Sequence, residues 1–244
     1  CKLFLGGRRQ SEDGSVEEQA EKLRAALKDG LWVKARGNYR YDDYKREMVL
    51  MVSDVMSVPK PVREDNAPRK RVELHLHTQM STMDACASAK ALISQAAAWG
   101  HSAIAITDHG VMYGVIELYK LCKKAGIKLI VGCEVYVAPR SRFQKEYKLD
   151  SAPFHLILLC ENETGYKNLI KMVSLSSIEG FYSKPRVDLE LLERYHEGLI
   201  ALSACLAGEI PRRLVMNDYA GAKKAALQYR QIFGEGNFFI EVQD

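Results

Sequence analysis

From Arg71 onward, short apolar runs alternate with helix-patterned stretches, and this alternation limits the fold more than any other feature of the chain. Runs near 72–76, 103–107, 127–132, 155–160, 198–203 and 237–242 read as strands. The stretches 88–99 and 111–125 read as helices closed by Gly100 and Gly126, each followed within three residues by an apolar strand. Repeated βα units predict a parallel sheet, and this many predict a barrel-like α/β domain, incomplete within these residues.

Upstream the pattern differs. Residues 17–29 place Ala20, Leu23, Ala26 and Leu27 at helical spacing ahead of Gly30, which predicts a short amphipathic helix. Leu31–Arg36 and Glu47–Val52 read as strands joined by a polar stretch containing Asp42 and Asp43, about half of a small β-domain. Residues 57–70 hold three prolines and many charges with no apolar period, the pattern of a linker. The predicted organisation is a β-rich domain over 1–58, a linker over 59–70 and an α/β domain over 71–244. Cys1 in place of methionine, and Asp244 close behind the strand-like run Asn237–Val242, read as ends cut from something longer.

Composition excludes several classes. With 244 residues and 47% hydrophobic content, the chain suits a large domain plus a small one, each with a core. A net charge of +4 neither demands nor excludes nucleic acid, so that case rests on motifs. Six cysteines form no C-x-x-C pair, and no secretory signal is present, which points to a reducing cytoplasm. No run approaches the roughly 18 apolar residues of a membrane helix.

Within Val72-Glu73-Leu74-His75-Leu76-His77, alternate strand side chains share a face, so His75 and His77 converge while Val72, Leu74 and Leu76 pack behind them. One H-x-H alone is balanced between a metal site and a structural role. Its company shifts the balance. The second strand ends in Asp108-His109, the third runs into Glu134, Asp84 lies in a polar loop after His77, and Cys205 follows the strand 199–202. Barrel enzymes place their chemistry at such strand C-termini, and imidazole, carboxylate and thiolate together suit zinc or a similar divalent ion. His155 opens its apolar run instead of closing it, so spacing alone favours a structural role there.

Other polar residues read more blandly. His101 and His196 sit at helix ends, where a cation meets the dipole favourably. Cys86, Cys122, Cys133 and Cys160 read as small hydrophobes. Asp188-Leu189-Glu190 imitates an exonuclease D-x-E, but Asp188 stands where a helix N-cap belongs. No D-x-D pair of the kind a polymerase palm uses is present. In the small domain, Trp32, Lys34, Arg36 and Arg46, with Arg40, Tyr39, Tyr41 and Tyr44 among them, offer stacking beside positive charge, as single-strand binders do. A solvated face over an ordinary core explains the same residues.

Taken together, RVELHLHTQMSTMDA, AIAITDHGV, LIVGCEVYV, FHLILLCENETGYKNL, FYSKPRVDLELLE and GLIALSACLAGEIP resemble the PHP (polymerase and histidinol phosphatase) domain of bacterial C-family DNA polymerase III α subunits, over residues 71–244. GLWVKARGNYRYDDYKREMVLMVSDV ahead of the linker resembles the OB domain that precedes it in the PolC type. The resemblance implies a distorted α/β barrel behind an OB domain. It implies the metal ligands His75, His77, Asp84, His109, Glu134, His155 and Cys205, with Glu134 bridging and Asp108 orienting its neighbours or serving catalysis. It also implies zinc or manganese, as many as three ions, in a centre suited to phosphoester hydrolysis, with Arg186 or Lys184 clamping a phosphate oxygen. For the parent it implies a DNA-directed DNA polymerase using magnesium, with DNA and other replisome subunits as partners.

Two departures accompany the resemblance. The family's downstream Asp-x-His ligand pair lies beyond Asp244, and Ala138–Ala152 is a short loop where a PolC-type enzyme carries its exonuclease, in which respect the chain is DnaE-like. Two further readings stand beside a polymerase fragment: a free-standing PHP phosphoesterase and a DNA-binding module without catalysis.

Overall fold

The computed structural model describes residues 2, 3, 25, 27, 28 and 30–243, so most of the helix read over 17–29 lies outside the described residues. The chain divides into two compact units, 1–64 and 65–244, with the cut inside the predicted linker.

In the first unit, β1 (Lys2–Leu3), β2 (Val33–Asp42) and β3 (Glu47–Ser57) form a three-stranded sheet in the order β1-β3-β2. The β2-β3 hairpin is longer than the sequence predicts, and Asp42 explains its turn: Oδ1 accepts from the backbone N–H groups of Tyr44 and Lys45. Arg46 closes the turn with a φ of 54°. Up to the register shift at Arg36/Gly37, strand alternation puts Lys34 and Arg36 on one face of β2, in step with Trp32; beyond the shift, Tyr39 and Tyr41 share a face and Arg40 takes the opposite one.

The second unit is a six-stranded mixed sheet. Its strands are β4 (Ala103–Ile106), β5 (Lys128–Val137), β6 (Phe154–Cys160), β7 (Arg186–Val187), β8 (Leu199–Leu202) and β9 (Phe238–Phe239). The order is β4-β5-β6-β8-β9, with β7 paired to β5. The expected all-parallel sheet is corrected here: β6 runs antiparallel to both β5 and β8. The barrel is not closed. The expected strand over 72–76 is reduced to a bridge between Glu73 and Ile104, because Leu76 spends its N–H on the Thr107 side chain.

Six helices flank this sheet among the described residues: α1 (Ala89–Ala98), α2 (Val115–Ala125), α3 (Glu163–Ile178), α4 (Leu189–Tyr195), α5 (Glu209–Val215) and α6 (Tyr219–Phe233). Ser88, Asn162, Asp188 and Asp218 cap α1, α3, α4 and α6 with side-chain oxygens. Asp188 is thus the N-cap expected of it. Alternation divides the core: Leu156 and Leu158 pack outward with Leu169, Met172, Leu191 and Tyr229, while Ile157 and Leu159 pack inward with Ala105 and Leu202. The inner face opens into a cavity of about 1280 Å³, lined by Ile130, Leu159, Ile200, Leu202 and Phe239 among others. No described helix is long and apolar enough to cross a membrane.

Candidate metal centre

The reversed direction of β6 explains how His155 joins the other ligands. In the β5-β6 register Tyr136 stands opposite His155 and Glu134 opposite Ile157, so the start of β6 lies beside the C-terminal half of β5. His155 N–H donates to Ala207 O (3.1 Å), which brings the segment after β8 alongside. His109 is placed by a bridge to Glu134, with Gly110 N–H donating to Glu134 O (2.9 Å). One rim of the sheet therefore collects the end of β4, the middle of β5, the start of β6 and the end of β8. Gly110, at φ 63°, sits where an added Cβ would come within 2.8 Å of Pro185 and 3.2 Å of Tyr136.

Glu134, almost wholly buried, is the hub. Its Oε2 lies 2.9 Å from His77 Nε2, 3.3 Å from His75 Nε2 and 3.0 Å from His109 Nδ1. Its Oε1 lies 3.0 Å from His155 Nδ1. Two ligand groups result, His75-His77-Glu134 and His109-Glu134-His155, sharing the carboxylate. Asp84 and Cys205 stand at the margins: Asp84 Oδ2 is 3.3 Å from His109 Nε2, and Cys205 Sγ is 3.9 Å from both His155 Nδ1 and Glu134 Oε1.

Asp108 belongs to neither group. Its Oδ1 accepts from Thr78 N–H (2.6 Å) and the Ser81 hydroxyl (2.7 Å), and its Oδ2 accepts from the Thr78 hydroxyl (2.8 Å). Ser81 Oγ lies 2.8 Å from His77 Nδ1. Because the Ser81 proton goes to Asp108, Ser81 accepts the Nδ1 proton of His77, so in the neutral ring Nε2 carries the lone pair, and only the doubly protonated ring donates from Nε2 to Glu134. Asp108 therefore acts through Ser81 and His77, and a direct catalytic part for it is corrected.

Arg186 is a second correction. It is fully buried, and its guanidinium donates to the carbonyls of Gly180, Asp150, Arg142 and Gln144 at 2.9–3.1 Å. Four of its five N–H groups are engaged and the side chain is wholly buried, so it does not reach a phosphate. Lys184 is exposed, with Nζ 5.3 Å from the Tyr136 ring centroid, and that ring packs against His109 and His155. Cys86, expected in apolar surroundings, is exposed. Sequence reasoning missed Thr78, Ser81, Tyr136 and Glu241. Glu241 follows β9, so the strand-end rule that marked Glu134 applies to it equally.

Proton equilibria differ within the cluster. Burial works against a charged His75, but hydrogen bonds to Glu134 and Glu241 outweigh it and lift its pKa to about 10. His155 shows the same contest, with burial overcome by Cys205 and Glu134, and rises to about 9. His109 lacks such a bond; burial dominates and lowers it to about 4. Burial would raise Glu134, yet the bonds from His155, His75 and His77 hold it well below the usual carboxylate range. The Cys205 thiol is lowered chiefly by His155.

The cluster fits a cation. His109 Nδ1 is buried without a hydrogen bond although Glu134 Oε2 is only 3.0 Å away, and the His75 and His77 Nε2 atoms crowd to 3.1 Å beside the same oxygen. Converging lone pairs repel one another unless a proton or a metal lies among them. Four imidazoles, a buried carboxylate and a nearby thiol form a donor set suited to a divalent transition metal.

An open α/β sheet carrying His/Glu ligand groups along one rim defines a candidate metal-binding α/β domain. The family model described as the PHP domain matches residues 73–244, and the chain belongs to that family. The DNA polymerase III subunit alpha of Treponema pallidum is 48% identical over 174 residues, covering 71% of this chain and 15% of that protein. Its counterpart from Borreliella burgdorferi is 46% identical over 173 residues, covering 70% of this chain and 15% of that protein. The chain thus spans about 15% of the length of these relatives. Among solved structures, an amidohydrolase from Chromobacterium violaceum is 20% identical, covers 68% of this chain and 56% of its own, and superposes with a TM-score of 0.32, too loose a match to bear on function.

Proposed function

We propose that this chain is the PHP portion of a bacterial replicative DNA polymerase α subunit, and that its rim cluster holds zinc or manganese, as many as three ions, in a centre that stabilises the domain or cleaves phosphoesters. The observation that carries the reading is the sharing of buried Glu134 by two ligand groups, with His109 Nδ1 left without a hydrogen bond. His75, His77, His109, Glu134 and His155 would hold the metal, with Asp84 and Cys205 at its margins. Such ions supply Lewis-acid polarisation of a phosphoester and a water acidic enough to react near neutrality. Asp108 and Ser81 fix the His77 tautomer, Glu134 keeps its negative charge, and Lys184 is the exposed cation placed to meet a phosphate oxygen.

The parent protein, on this reading, is a DNA-directed DNA polymerase of the C family that uses magnesium for nucleotide transfer, works on DNA with other replisome subunits and resides in the cytoplasm. The upstream unit is read as part of a PolC-type OB domain. Supporting this, Lys34 and Arg36 are exposed on one face of β2, exposed Trp32 lies just ahead of the strand in step with them, and Arg46 is exposed at the hairpin turn, an arrangement in which bases could stack and phosphates pair.

Elemental analysis of the purified chain beside H75A and E134A tests the metal reading. Bound zinc or manganese in the parent, much reduced in both variants, is the expected result. A folded parent free of metal overturns it. Turnover of bis-p-nitrophenyl phosphate by the loaded chain, reduced roughly tenfold or more in K184A at unchanged metal content, separates a hydrolytic centre from a stabilising one.

A further inference from the structure

Two residues beyond β9, Glu241 is anchored to the end of β8 by its backbone N–H, which donates to Ser203 Oγ (2.9 Å). Its Oε1 accepts from Gln243 Nε2 (2.7 Å) and lies 2.7 Å from His75 Nδ1. Its Oε2 is buried with no hydrogen-bond partner. An ionised carboxylate offers only acceptors, so Nδ1 carries the proton in this contact. Gln243 Nε2 also approaches Nδ1, at 3.2 Å, but as a donor facing an N–H it makes no bond there.

A metal-ligating imidazole is neutral and carries one proton. With that proton on Nδ1, the lone pair of His75 stands on Nε2, 3.1 Å from His77 Nε2 and 3.3 Å from Glu134 Oε2. Ser81 and Asp108 arrange His77 in the same sense, so both histidines of the first group present Nε2 to a common point. A buried carboxylate oxygen without a partner is costly, and a nearby cation offsets that cost.

We infer that Glu241 is a positioning residue for the metal centre, holding His75 in the tautomer and orientation that present Nε2 to the ion. It acts through His75 and does not itself bind metal. This rests on the metal reading of the rim cluster.

The test is affinity for Zn²⁺ and for Mn²⁺, by isothermal titration of the chain and of its E241A, E241Q, H75A and H75A/E241A variants. Loss of a carboxylate behind a ligating histidine lowers affinity roughly tenfold to a hundredfold, and that is the result expected for E241A. E241Q loses less, because its amide oxygen still accepts from Nδ1. Adding E241A to H75A changes nothing further. In the zinc-loaded chain, the His75 Nδ1 proton is slow to exchange in the parent and in E241Q and is lost from the spectrum in E241A.

E241Q keeps the side-chain volume and carries the same comparison if E241A does not fold. Parent-like affinity in E241A overturns the inference, as does an equal loss in the H75A background. A parent chain with no affinity for either metal overturns the metal reading as well, which tells the two failures apart.

Discussion

The imidazoles around Glu134 hold their protons very differently, and stability follows. An ordinary histidine titrates near pH 6.5, whereas His75 and His155 titrate at about 10 and 9 in the folded, metal-free chain. Between the two limits the folded chain binds more protons than the unfolded one, so stability falls as pH rises through that window. Below about 6.5 their contribution is fully present. His109, lowered to about 4, works the other way: stability is lost as pH falls from about 6.5 towards 4. Urea midpoints in chelator are therefore expected to decline from pH 7 to 10, and saturating zinc is expected to remove that decline by displacing the protons. A midpoint independent of pH in chelator contradicts the assignment. At this scale alternation pointed to the H-x-H pair, strand ends pointed to His109, Glu134 and Cys205, and Asp84 stood out as a carboxylate in the loop after His77. His155 was legible only through family resemblance, because spacing gives no strand direction. Ser81 and Glu241 were missed because a residue that orients a ligand carries no spacing signature of its own.

Among the elements, the loop 138–152 is held more firmly than its composition implies. Arg140 pairs with Asp150, Arg142 with Asp188 and Glu179, and Arg186 ties four carbonyls into one knot. R186M leaves those buried acceptors unpaired and is expected to lower stability by about 3 kcal/mol or more, with little direct change in metal content. Urea denaturation with elemental analysis checks both parts, and loss of metal without loss of stability contradicts the structural assignment. Periodicity exposed β4, β5, β6 and β8 because each is a contiguous apolar run. It did not expose β7, two residues long, and it predicted a parallel sheet because antiparallel β6 reads the same in either direction. Residues 72–76 have strand composition but spend their hydrogen bonds on Thr107 and a single bridge.

Across the whole molecule, a sequence pattern that changes near residue 60 corresponds to two compact units, each with its own sheet. The sequence indicated the division because linker composition is local. The barrel-like domain was expected to be incomplete and the sheet is open, but its strand order was not legible, since that depends on which strands find each other across the full domain. The sheet of the second unit therefore has margins. At one of them β9 is bonded to β8 alone, and just beyond it Ile240 and Val242 stand 56% and 87% exposed. Unpaired backbone groups beside apolar side chains are a template on which another extended chain can add. For this chain taken by itself, sedimentation velocity is expected to show association that grows with concentration, and V242K, which puts a charge on that margin, is expected to shift the population back towards single chains.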